Sequence, residues 1–303
     1  MSAYVEGILI QTGITLIAIV GVSLLTGFTG IFSMGHAGFM CIGAYTSALL
    51  CKLAGFPVGL GLICGMIAAM LVGFLIGLPT LKLRGDYFLI ASIGIGEAIR
   101  LIVENTYSLT GGSTGMMDIG RVNSLPLVII LDIIVIVGAA NFLRSKHGRN
   151  CIAIREDEIA ATAMGINVYR HKLMVFAISC ALCGLAGGLL GHYLNYVNPR
   201  VFAMKKSNEL IMTVIMGGGG SLTGSIIAGL ILTPLPELLR VEGAEAWRMA
   251  IYGILIVLVI MFRPNGLMGN KELTITGIKN FFRRSPRRLA NTSEKGGKER
   301  DDG

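Results

Sequence analysis

RSKHGRNCIAIREDEIAATAMGINVYRHK, residues 144–172, stands between LPLVIILDIIVIVGAANFL (125–143) and LMVFAISCALCGLAGGLLGHY (173–193). Each flank approaches the roughly 20 apolar residues needed to cross a hydrocarbon core of about 30 Å. The stretch between them carries Arg144, Lys146, Arg149, Arg155, Arg170 and Lys172. Two spans joined by a basic hydrophilic run imply an all-α polytopic membrane protein with 144–172 on the cytoplasmic side, where Lys and Arg accumulate. Inside the run, Glu156 to Met164 reads as one short helix. Glu156, Asp157 and Glu158 fall at its N-terminus, where negative charge is favoured, and Gly165 and Asn167 supply the stop. At about nine residues it lies below the roughly 12–15 at which an isolated helix becomes marginal in water, so another surface, most naturally another protein, has to hold it.

Composition agrees. Of 303 residues 53% are hydrophobic and 15% charged, with mean hydropathy +0.71, which would leave a soluble domain covered in apolar patches. The net charge of +8 does not indicate nucleic acid, because 18 of the 26 Lys and Arg lie in the 144–172 loop, at Lys82 and Arg84, or after Phe262. That is topological asymmetry rather than a basic face for phosphates. Cys41, Cys51, Cys64, Cys151, Cys180 and Cys183 are scattered; the Cys180/Cys183 pair sits in apolar helical sequence with no second pair, so small buried side chains are expected. His36, His147, His171 and His192 show no metal-binding spacing. The N-terminal segment has no Lys or Arg before Lys52 and reads as a retained first span rather than a signal peptide.

Taken in order, Gly7 to Thr26 is a first span. GFTGIFSMGHAGFMCIGAY, 27–45, follows with five glycines, Ser33 and His36, and marks a discontinuous or tightly packed element. A second span runs to about Leu50, a third covers Val58 to Leu78 and a fourth Tyr87 to Val103. Residues 104–124 form an exterior loop. Leu125 to Leu143 and Leu173 to Tyr193 flank the cytoplasmic loop, and NYVNPRVFAMKKS, 195–207, returns to the exterior. MGGGGSLTGS, 216–225, then cuts the apolar text into two pieces of about a dozen residues, too short to cross alone. Trp247 opens a last span closing at FRPNG, 262–266. The organisation is therefore a membrane domain, 1–270, and a basic tail, 271–303, expected on the cytoplasmic side, disordered towards its end and able to touch anionic lipid.

No enzyme constellation emerges. Gly217, Gly218, Gly219 and Gly220 are followed by Ser221 and Leu222, not by the Lys and Ser/Thr of a nucleotide-binding loop. Glu97, Arg100 and Asp132, with Glu209 beside them, are ionisable residues in apolar segments, and such residues usually face a bundle interior or a cavity. Glu97 and Arg100 share a helical face. Packing and a transport path are both open readings, for this pair and for Asp132.

Five blocks carry a resemblance: LLTGFTGIFSMGHAGFMCIGAYTSALL (24–50), LKLRGDYFLIASIGIGEAIRLIVENTYSLTGGSTGM (81–116), IREDEIAATAMGINVYRHKLMVFAISCALCGLAGGL (154–189), GGGGSLTG with Pro234 to Arg240, and WRMAIYGILIVLVIMFRPNGLMG (247–269). Together they resemble the membrane permease of branched-chain amino acid ABC importers, M-type subunit, from about residue 20 to 270. The resemblance implies a bundle of about 8–10 helices in a bacterial inner membrane. It implies a homologous second permease, two ATPase subunits that bind ATP and Mg²⁺, and a periplasmic binding protein, with no cofactor in this chain. It places the coupling helix on Arg155 to Gly165. Ile159, Ala160, Ala163 and Met164 then form an apolar stripe towards the ATPase, and Glu156, Asp157 and Glu158 offer charges. Ser33, Gly35, His36, Gly38, Glu97, Arg100, Asp132 and Gly217 to Gly220 are candidates for the path or its gate. A family permease for urea, short amides or other amino acids, and an ion-coupled carrier acting alone, are the rival readings.

Overall fold

The structure is a computed structural model that describes residues 3–83, 85–122 and 124–238, with positions 253, 261 and 266. The expected last span, the basic tail and Arg84 lie outside these described residues, apart from those isolated positions. The chain is an all-α polytopic membrane protein. Its helices are α1 (Ala3–Val22), α2 (His36–Ala54), α3 (Val58–Thr80), α4 (Asp86–Asn105), the short α5 (Tyr107–Thr110), α6 (Leu125–Arg144), α7 (Lys146–Glu156), α8 (Glu158–Ala163), α9 (Val168–Leu194), α10 (Met204–Gly217), α11 (Leu222–Leu232) and α12 (Leu235–Leu238). Among the described residues five helical segments are long and apolar enough to cross a bilayer: Tyr4–Gly27, His36–Ala54, Val58–Thr80, Leu125–Arg144 and Val168–Leu194. The 20-residue α4 has the length but carries Asp86, Glu97, Arg100 and Glu104.

The five divide into centre and rim. α1 and α9 are almost wholly buried, whereas α3 and α6 leave most of their apolar surface open, as lipid-facing helices do. α9 is the hub, packed on α1, α2 and α3. Lipid tails are as apolar as leucine, so close backbone approach has to bind these helices, and small residues permit it. A Cβ on Gly43 would collide with the backbone of Gly184, and one on Gly187 with the backbone of Met40. Phe176 fills the adjoining layer edge-to-face with Phe39 at 5.6 Å and Phe88 at 6.0 Å between ring centroids.

Each end of the bundle is closed by the chain itself. At one end β1 (Met116–Met117) pairs antiparallel with β2 (Tyr196–Val197), Met116 opposite Val197. Lys52 Nζ donates to Met117 O at 2.7 Å, and the His192 ring donates from Nδ1 to Gly120 O at 2.8 Å. At the other end the Tyr169 hydroxyl donates to Leu78 O at 2.7 Å, and α7 and α8 lie across the helix ends.

The Gly-rich stretch 27–45 is discontinuous in one part and tightly packed in another. α1 passes into a π-helical turn, Ser23–Gly27, helix ends at Thr29, and non-helical backbone occupies only 30–35 before α2 begins at His36. Two expectations for the 144–172 loop need correction, the first being that its helix is single. Asp157 has extended dihedrals (φ −159°, ψ 110°), which closes α7 at Glu156 and opens α8 at Glu158. Asn167 is not part of a stop: its side chain accepts the Arg170 N–H at 3.0 Å and caps the start of α9, five residues before the apolar run.

Candidate functional site

Residues 30–35 form a break in the helical bundle, with Ile31, Ser33 and Gly35 buried and Gly30 and Phe32 exposed, and its buried polar groups need partners. Three serines on three different helices tie the break and the first turn of α2 to the bundle. Ser92 of α4 accepts the Met34 N–H at 3.0 Å, Ser207 of α10 accepts the Ala37 N–H at 2.9 Å, and Ser179 of α9 lies 2.9 Å from His36 Nε2. His36 Nδ1 is 2.9 Å from Ser33 O, a pure acceptor, so Nδ1 carries the proton and Nε2 accepts from Ser179 in the neutral ring. His36 is wholly buried, and Ser33 beside it is buried with a hydroxyl that has no hydrogen-bond partner among the described residues. The break is thus a hydrogen-bonded joint between α2, α4, α9 and α10.

Against this joint lies a small cleft, with a volume of about 10 Å³, lined by Met34, Ala37, Gly38, Ile93, Gly96, Glu97, Phe202, Met204 and Ser207. Gly35, Gly38 and Gly96 bring α2 and α4 into backbone contact here; a Cβ on Gly38 would stand 2.8 Å from Gly96 Cα. Glu97 reaches the cleft while its carboxylate holds Arg100, whose second side meets Glu104 at 2.5 Å. Of the sequence candidates, Gly38 and Glu97 line the cleft, Ser33, Gly35 and His36 build the joint beside it, and Arg100 backs Glu97. Asp132 is elsewhere: it packs on α1, where a Cβ on Gly13 would lie 2.6 Å from Asp132 Oδ2, and its Oδ1 has no partner among the described residues.

The glycine run 217–220 makes the turn between α10 and α11. Gly218 takes φ +107°, and Ser221 accepts the Gly224 N–H at 3.0 Å to start α11. The turn meets the π-helical turn of α1: a Cβ on Gly27 would stand 2.5 Å from Gly219 O, and Ser23 Oγ lies 3.1 Å from Ser225 Oγ.

In the 144–172 loop, Cys151 and Ile154 seat α7 in the bundle; burial pushes the Cys151 thiol up to about 11. α8 projects beyond it. The Asp157 carboxylate accepts the N–H groups of Ile159 at 2.8 Å and Ala160 at 3.0 Å, and Lys172 of α9 pairs with Glu158. Gly165 stops the helix at φ +80°. Ala161 faces inward, while Ile159 (84% exposed) and Met164 (82%) stand out, with Ala160 and Ala163 exposed beside them. Arg155 does not join that outward face. Its guanidinium turns inward to Gly27 O at 2.8 Å and holds Glu156 with its other edge. Neither this contact nor the three tethering serines is legible in the sequence, where single hydroxyls in apolar helices are the only signal for the serines.

A family model described as "Branched-chain amino acid transport system / permease component" matches residues 4–260. The chain is 34% identical over 292 residues to the high-affinity branched-chain amino acid transport system permease protein LivM of Escherichia coli K12, covering 85% of this chain and 68% of the relative. It is 28% identical over 296 residues to the high-affinity branched-chain amino acid transport system permease protein LivH of the same organism, covering 88% and 95%. It is 26% identical over 264 residues to a probable branched-chain amino acid transport permease LivM of Methanocaldococcus jannaschii, covering 77% and 76%.

Proposed function

The chain belongs to the branched-chain amino acid transport system permease family, and from that premise we propose that it is the membrane-spanning subunit of a binding-protein-dependent ABC importer carrying leucine, isoleucine and valine inward. It sits in the bacterial inner membrane beside a second, homologous permease. Two ATPase subunits attach at the 144–172 loop and bind ATP and Mg²⁺, and a periplasmic binding protein delivers the amino acid. This chain performs no hydrolysis.

The observation that carries the reading is α8. A helix of six residues cannot hold itself in water, yet it is capped at both ends and presents Ile159 and Met164 where nothing among the described residues covers them. A partner groove accounts for both features. Movement of α8 on ATP binding would be delivered to the joint at 30–35 and to the turn at 217–220, the two places where helices are interrupted. The cleft at Gly38 and Glu97 is the part of the path that this chain contributes, and selection between amino acids falls mainly to the binding protein.

The test is reconstitution. The chain is co-expressed with its second permease, ATPases and binding protein, and leucine uptake into proteoliposomes is measured with ATP inside. Uptake that requires ATP and the ATPase subunits supports the reading. Uptake that persists without them and follows a proton or sodium gradient overturns it.

A further inference from the structure

The loop and the interrupted helices meet at one side chain. Arg155 is the penultimate residue of α7, two residues before the Asp157 cap of α8, and its guanidinium donates from Nη1 to Gly27 O at 2.8 Å. Gly27 closes the π-helical turn of α1, and helix ends at Thr29. The last carbonyls of a helix lack intrahelical partners and sit at its negative end, so a guanidinium there is a cap. The remaining edge of the same guanidinium is held on Glu156 Oε1, from Nε at 3.3 Å and Nη2 at 2.6 Å, which fixes its plane.

Two glycines fit this contact from opposite sides. The Arg155 stem lies on Gly30, where an added Cβ would stand 3.1 Å from Arg155 Cγ and where φ is +74°. Gly27 meets the α10–α11 turn on its other face, an added Cβ coming 2.5 Å from Gly219 O. Gly27 is therefore clamped between the loop that α8 terminates and the turn that joins two short helices, and Gly30 begins the break that leads to Ser33 and His36.

We infer that Arg155 is the positioning residue that transmits displacement of the loop to both interrupted elements, through the Gly27 carbonyl. The inference rests on the coupling reading of residues 144–172 and adds to it the inward half of the linkage. A contact of this kind has two states, made and broken, and both sides bias it, which is what coupling between distant sites requires. It also assigns opposite roles to neighbours: Ile159 and Met164 face a partner, and Arg155 faces this chain's own α1. A cap that only stabilised the helix end would support the fold without setting how much transport each hydrolysed ATP produces.

The experiment uses the whole complex in proteoliposomes, reading leucine uptake and phosphate release from the same vesicles, after co-purification of the ATPase subunits has been measured. Arg155→Met keeps the stem on Gly30 and removes the donors; Arg155→Lys restores one donor. The Met variant is expected to retain the ATPases and hydrolyse ATP within about twofold of the parent while uptake per ATP falls about tenfold, the scale that single coupling residues reach, and Lys is expected to recover most of it. An unchanged uptake-to-hydrolysis ratio, or a loss of both in proportion, overturns the inference. Loss of the ATPases on mutating Arg155 also overturns it, by making Arg155 a docking residue. If the Met variant does not accumulate, Gly30→Ala, which pushes on the Arg155 stem without removing a charge, has to lower the same ratio or the inference fails. A parent complex that never retains the ATPases refutes the coupling reading itself, a result distinct from a normal Met variant in a fully assembled complex.

Discussion

Asp157→Ala separates two accounts of the acidic triplet at 156–158. In the sequence, Glu156, Asp157 and Glu158 read alike, as acidic residues at a helix N-terminus and as charges for a partner. In the structure Asp157 is a cap, accepting the Ile159 and Ala160 N–H groups at 2.8 and 3.0 Å. Losing an N-cap costs about 1 kcal/mol, and losing a negative charge at an exposed helix N-terminus about 0.5 kcal/mol more. For a six-residue helix with almost no intrinsic stability, the sum of about 1.5 kcal/mol lowers the folded population of α8 roughly tenfold. Asp157→Asn keeps the acceptor and loses the charge, so only the smaller cost, about twofold, applies. Hydrogen exchange of the Ala161 to Met164 amides, measured by mass spectrometry on the chain in nanodiscs, reads both populations, because the Ala161 and Met164 N–H groups bond to Asp157 O and Ala160 O inside α8. Protection is expected to fall strongly in the Ala variant and slightly in the Asn variant. Equal loss in the two would mean that charge, not capping geometry, holds α8, and would refute the role of Asp157 as its cap.

Other consequences are as direct. Gly43→Val forces α2 away from Gly184 of α9 and should cost about 2 kcal/mol or more by overpacking, seen as a lowered unfolding temperature or loss of the protein from the membrane, whereas Gly94→Val, with open space at its Cβ position, should be tolerated. Ile159→Cys should react within minutes with a water-soluble maleimide, while Cys151, buried and with its thiol pushed up to about 11, should stay unlabelled at pH ~7.5. Ionising Cys151 opposes its burial, so raising the pH from about 9 through about 11 should loosen α7 and expose it to the reagent. Glu97→Gln should lower transport more than Asp132→Asn, because Glu97 lines the cleft and Asp132 packs on Gly13; equal losses, measured as uptake at matched protein levels, would remove the cleft from the path.

The polytopic fold and the short helices around 217–220 are legible in apolar run lengths, since a span is a local property of sequence. Which spans are central is not. α3 and α9 have nearly the same mean hydropathy, 2.4 and 2.3, yet one faces outward and the other is enclosed; lipid and protein interior are equally apolar to such a scale. Helix α7 is hidden by Gly148 in its middle and by its basic residues, although Ser145 as cap and Cys151 with Ile154 on one face are available signals. The glycines of 27–45 locate the joint but make it look longer than 30–35, because Gly38 and Gly43 serve helix contact rather than irregular backbone. Its tethers are long-range pairs: Ser92, Ser179 and Ser207 lie 58, 143 and 170 residues from their partners, beyond any local pattern.

Those tethers bear on how the bundle can move. Each is a neutral hydrogen bond of about 1 kcal/mol net, but breaking one inside the bundle leaves a buried polar group at a cost of about 1–3 kcal/mol. A shift of the joint that broke all three would thus be opposed by several kcal/mol unless new partners were waiting. The unpaired hydroxyls of Thr26, in the π-helical turn, and Ser33, between that turn and His36, lie in the same part of the chain. If the alternative state pairs them, the joint exchanges hydrogen bonds rather than losing them, and the two states lie close enough in energy for a lever at the loop to choose between them. Ser33→Ala should then leave this conformation intact, removing only an unsatisfied hydroxyl, and lower transport by destabilising the other. Uptake per ATP unaffected by Ser33→Ala would show that the exchange partner is not Ser33.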